Sequence, residues 1–69
     1  MNAQENFLSL IEYWQGSIED YQKIINECTA RINDPAKCSK NKEASKLLIE
    51  VCKDSISKCQ KEIEKLLSL

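Results

Sequence analysis

Cys28, Cys38, Cys52 and Cys59 have the widest chemical repertoire in this 69-residue chain, which has no histidine to ligate a metal or act as a base near neutral pH. Four thiols invite three readings: a metal site, a disulfide framework, or buried cysteine acting as a small apolar side chain. The gaps between them are nine, thirteen and six residues, whereas structural zinc wants cysteines paired about two to four residues apart. No metal and no cofactor are expected. Cys28 and Cys38 flank an Asn-Asp-Pro step and are the one pair placed for a possible disulfide; core filling is the preferred reading for the thiols as a group. The carboxylates offer no acid/base pair either, since Glu19 and Asp20 are adjacent, and Glu62 and Glu64 are two apart, so on a helix they point in different directions. With no Gly-rich phosphate loop and no base beside a cysteine, the chain is read as non-enzymatic.

The elements that position these thiols follow from apolar spacing. One Gly and one Pro in the whole chain leave little punctuation for strands. Phe7, Ile11, Trp14, Ile18, Tyr21, Ile25, Cys28 and Ile32 advance by alternating steps of four and three, a heptad seam with isoleucine at position a from 11 to 32. Ile49, Cys52, Ile56, Cys59, Ile63 and Leu66 repeat it. The spacing predicts a first helix over about 3–33 and a second ending near 68, with Asn2 and Glu5 as a capping pair at the start. Asn33 suits a left-handed closing residue, Asp34 a cap, and Pro35 the first helical position. The pattern lapses over "CSKNKEA", residues 38–44, so the second helix starts at 35 or only at 41, and the turn spans 33–35 or extends to 40. The expected fold is all-α: one domain, 1–69, forming an antiparallel two-helix hairpin that dimerises into a four-helix bundle. A tight turn would set Cys28 near Cys38, Cys52 against the Trp14 layer and Cys59 against the Phe7 layer.

Charge agrees with antiparallel pairing. Residues 1–33 carry Lys23 and Arg31 against Glu5, Glu12, Glu19, Asp20 and Glu27, a balance of −3, while residues 35–69 carry eight lysines against five acids, a balance of +3. The overall charge of −1 gives no global attraction to nucleic acid or anionic lipid, and 42% hydrophobic content is too high for disorder. The N-terminal "MNAQENFLSL" lacks a basic region before an apolar stretch, and no run approaches the roughly 20 apolar residues of a membrane span. No membrane association is expected, and the protein is read as cytoplasmic, with its cysteines as thiols.

In architecture the hairpin resembles the plasmid repressor-of-primer (Rop) proteins, whose paired hairpins bind RNA. That resemblance implies a basic face. Lys46, Lys53 and Lys61, extended by Lys58 and Lys65, are interleaved with Glu50, Asp54, Glu62 and Glu64, and read instead as a solubilising surface, so nucleic acid is not the expected partner. The "NDPAK" head is also similar to small needle-subunit co-chaperones of type III secretion. Twin C-x9-C hairpins are excluded by Pro35 between Cys28 and Cys38 and by the shorter Cys52–Cys59 gap. Trp14-Gln15-Gly16 matches the Trp-x-Gly turn of WXG hairpins, but the seam runs through it in phase.

Function is sought in apolar surface outside the seams. Ala44, Leu47 and Val51 lie about 100° or more from the line of Cys52, Cys59 and Ile63, and Leu10, Tyr13 and Ile24 broaden the first helix's stripe. Leu67 and Leu69 add apolar area to the last turn. The sequence therefore reads as a protein-binding module, an adaptor, secretion co-chaperone or inhibitor, that masks or bridges a partner protein through Ala44, Leu47, Val51, Leu10, Tyr13 and Ile24 and forms a homodimer. A Rop-like RNA binder and a cysteine-based metal or redox protein are the alternatives.

Overall fold

The computed structural model describes the backbone of residues 3–68 and the side chains of residues 6–68. The capping role expected of Asn2 with Glu5, and the contribution of Leu69, lie outside these. Two helices make up the fold: α1, Ala3–Ile32, and α2, Ser39–Leu67. Each is about 45 Å long at 1.5 Å per residue, yet the whole molecule measures 53 × 17 × 12 Å. The helices therefore fold back on each other as an antiparallel hairpin. Helix α1 runs unbroken through Trp14, Gln15 and Gly16. Neither helix is long and apolar enough to cross a membrane.

The connection corrects the expected turn on three points. First, Asn33 does not adopt a left-handed conformation, because no described residue has positive φ. The helix closes by tightening instead: the Asn33 amide donates to the Thr29 carbonyl at 3.1 Å, and the Asp34 amide to Arg31 at 3.2 Å. Second, Asp34 accepts from the Ala36 amide through Oδ1 at 2.9 Å, a bond like that of a helix cap, and its carbonyl accepts from Lys37 at 3.2 Å. Asp-Pro here occupies the first two positions of a β-turn, and the absence of positive φ leaves type I geometry. Third, α2 does not begin at Pro35 or at Asn41. Cys38 interrupts with extended backbone, φ −77° and ψ 165°, and the helix starts after it, with Lys42 donating to the Cys38 carbonyl at 3.1 Å. The extended residue supplies the lateral step between two packed helix axes about 8–10 Å apart. The loop is thus residues 33–38.

This longer loop resets the register. Its centre lies between Pro35 and Ala36, and a loop so centred, taken with the heptad phases, implies a register with Tyr21 level with Ile49, Ile18 with Cys52, Trp14 with Ile56 and Ile11 with Cys59. On that register Cys52 and Cys59 would each lie one seam step from the Trp14 and Phe7 layers that a tight turn implies. Every seam residue from Ile11 to Leu66 is buried or half-buried, but only Cys28, Cys52 and Cys59 fall to 5% exposure or less. Ser45, 4% exposed, joins them at the same heptad position as the cysteines of α2, extending the seam one step beyond the sequence pattern. The reason is geometric. Each layer of an isolated hairpin meets solvent on both broad faces, so two helices enclose a thiol or hydroxyl completely but not an isoleucine or an indole.

Candidate functional site: an apolar broad face

The residues flanking the seam decide which side of the hairpin carries function. In an antiparallel pair, the positions just before the a residues of both helices share one broad face, and those just after the d residues share the other. A shallow cleft of about 300 Å³ at the hairpin head fixes this relation: it is lined by Arg31 from α1 and by Asn41, Ala44, Ser45 and Leu48 from α2, with Lys37 of the loop. Arg31, Asn41 and Leu48 each precede an a residue. Carried along both helices, that face presents Leu10, Ser17 and Ile24 from α1 against Leu48, Ser55 and, at the open end, Glu62 from α2. Tyr13, Ala44 and Val51 form its shoulders.

The opposite broad face is polar. Gln15, Gln22 and Thr29 line it on α1, and Lys46, Lys53 and Gln60 on α2, all exposed. Two of the three ion pairs among the described residues lie along it, Lys46–Glu43 at 3.6 Å and Lys53–Glu50 at 3.7 Å, and the third, Lys65–Glu62 at 3.4 Å, lies on the other side at the open end. Leu8 and Leu67 are its apolar exceptions at the open end of the hairpin.

The apolar face is exposed but already smooth. Tyr13, 63% exposed, rests edge-to-face on Trp14 with ring centroids 5.1 Å apart. Leu48 is 40% and Val51 59% exposed. The hydroxyls in its middle turn inward: Ser17 donates to the Tyr13 carbonyl at 3.1 Å, and Ser55 to the Val51 carbonyl at 3.0 Å. With their donors satisfied within their own helix, these serines present small, nearly apolar surface that can be covered at little desolvation cost.

Of the residues singled out from sequence, Leu10, Tyr13, Ile24, Ala44 and Val51 share this face or its shoulders. Leu47 does not join them. It is 69% exposed on the outer edge of α2, one residue from Leu48, which lies on the face itself near the head. Sequence reasoning missed Leu48, Ser17 and Ser55. Extending the α2 heptad back through Ser45 would have found the first, and the other two carry no apolar signal.

The thiols form no site. All four are free; Cys28, Cys52 and Cys59 are separate layers of the seam and Cys38 is exposed at the head, so the bridge entertained between Cys28 and Cys38 is not formed. Among the described residues no three Cys, Asp or Glu side chains are grouped to hold a metal ion.

The balance of surface is unusual for a small folded chain. The hairpin exposes 5417 Å², against about 4,400 Å² for a compact protein of its mass, and its radius of gyration of 16.0 Å compares with about 11 Å for a compact chain of this length. Comparison with known proteins gives no match to a family model, to a curated protein or to a solved structure.

Proposed function

We propose that the hairpin is a non-enzymatic protein-interaction module that works by burying its apolar broad face against another protein surface. The supporting observation is the inequality of the two faces: Leu10, Tyr13, Leu48 and Val51 stand exposed on or beside one, while ion-paired lysines and glutamines line the other. A chain serving only as a spacer gains nothing from such a difference, and exposed apolar patches rimmed by polar groups mark interaction sites. On this reading the hairpin is an adaptor, co-chaperone or inhibitor in a reducing compartment such as the cytoplasm, and its hairpins assemble into a four-helix bundle. RNA binding of the Rop kind draws less support, because Lys46, Lys53 and Lys65 each sit beside a glutamate of their own helix.

The test compares wild-type chain with Leu48→Glu and Lys46→Glu as baits in extracts of the native host, with bound protein and RNA both quantified. The reading expects a specific protein, at least tenfold depleted by Leu48→Glu, indifferent to Lys46→Glu, and held at 200 mM salt. Binding that is lost through Lys46→Glu, or RNA that dissociates steeply between about 50 and 200 mM salt, would overturn it.

A further inference from the structure

Resting on the interaction reading, we infer that the occupant of the apolar face is a second copy of this chain, related by a two-fold axis parallel to the hairpin, with both heads at the same end and α1 of each copy on α2 of the other. Size supports this first. The broad face measures 53 by 17 Å, a footprint of about 900 Å² per copy, matching both the roughly 800 Å² each partner contributes to a standard stable interface and the roughly 1,000 Å² by which the hairpin exceeds a compact protein's surface.

Composition supports it second. Two such faces laid together bury Ile24 and Leu48 at the head end and Ser17 and Ser55 in the middle, with Leu10 beside the Glu62–Lys65 ion pair toward the open end. Both serine hydroxyls keep their intrahelical bonds, so the centre of the contact buries no unpaired donor.

Charge chooses between the two possible axes. With the axis parallel to the hairpin, Ile24 meets Leu48 of the other copy; with it perpendicular, Ile24 meets Leu10 and the heads lie at opposite ends. Apolar matching is similar in both. The helices, however, carry −3 over residues 1–33 and +3 over 35–69, and among the described residues no ion pair joins α1 to α2, all three lying within α2. The parallel axis sets each acidic helix on a basic one, whereas the perpendicular axis sets like on like, which is repelled.

The chain carries its own reporter of this arrangement. Cys38 is the exposed thiol, at the hairpin head. With both heads at one end, two Cys38 side chains come within reach of a short bismaleimide; with heads opposed they stand apart by most of the 53 Å length. The experiment combines sedimentation equilibrium of reduced chain over micromolar concentrations with bismaleimide linking in the wild type and in Leu48→Glu, helicity being checked by circular dichroism. The expected result is twice 7.9 kDa, a covalent dimer through Cys38 absent in Cys38→Ser, and at least tenfold weaker association in Leu48→Glu. Should Leu48→Glu lose helicity, Val51→Glu on the shoulder takes its place. A 7.9 kDa species throughout, a folded Leu48→Glu that associates as before, or a dimer that does not link through Cys38 would overturn the inference. A monomer that still captures a foreign protein through Leu48 would overturn it while leaving the interaction reading intact.

Discussion

Replacing Cys52 by leucine is the most direct probe of why cysteine fills this seam. The side chain is 2% exposed, in a seam layer that two helices close only because one of its members is small. Leucine adds roughly two methylene-sized groups, and overpacking of that kind costs about 1–3 kcal/mol. Alanine at the same place removes one buried heavy atom and leaves a small cavity, for a loss of about 1–1.5 kcal/mol. A single core of this size supplies only ~3–5 kcal/mol, so either loss is a large share of the total, and each kcal/mol lowers the melting temperature by about 4–8 °C. The assay is urea unfolding followed by helical circular dichroism, in reductant and at one fixed protein concentration, because association contributes to apparent stability. The expected order is wild type, then Cys52→Ala, then Cys52→Leu. A leucine variant more stable than wild type would refute the small-layer account, and it would show that the helices have room to separate or that the layer is larger than the hairpin alone defines.

Three further outcomes follow from the same geometry. Gly16→Ala should raise stability by about 0.5–1 kcal/mol, because a methyl there meets no atom within 4 Å and glycine weakens a helix interior; urea unfolding checks it. Asp34→Ala should cost about 0.5–1.5 kcal/mol through loss of the bond from the Ala36 amide, read from the same curves. In thiol titration of native, reduced protein, one cysteine, Cys38, should react at once and the other three only after denaturation; immediate reaction of all four would contradict their burial.

The parts of the fold legible in the sequence are those where large apolar residues repeat. Ile11, Ile18, Ile25 and Ile32 on α1, and Ile49, Ile56 and Ile63 on α2, are enough to give two helices and their facing sides. The head was not legible, because its seam positions are Lys42 and Ser45, polar residues that a hydrophobic count passes over. Asp34 and Pro35 misled for a different reason: the same pair opens a helix or a β-turn, with the same first hydrogen bond. The choice is made downstream, at Cys38, whose extended backbone steps the chain across to the second axis. Of the apolar face, Val51 and Tyr13 were visible as apolar residues off the seam. Leu48 was not, since its membership depends on the phase set by Ser45, and the contribution of Ser17 and Ser55 depends on where their hydroxyls point.

The start of α2 has a consequence for how the molecule opens. Cys38 provides no side-chain cap, the first turn holds no acidic residue, and Lys37, Lys40 and Lys42 gather where the helix dipole is positive. Backbone amides of residues 39–44 are therefore held by a weak end of the helix, ahead of the first isoleucine layer at Ile49. Amide exchange should be fastest there among the helical residues near the head and slow toward Cys52, a protection gradient running inward from the loop. On this account α2 frays first at its head end, and unwinding this first stretch would lengthen the tether between α1 and α2 while the isoleucine layers stay engaged.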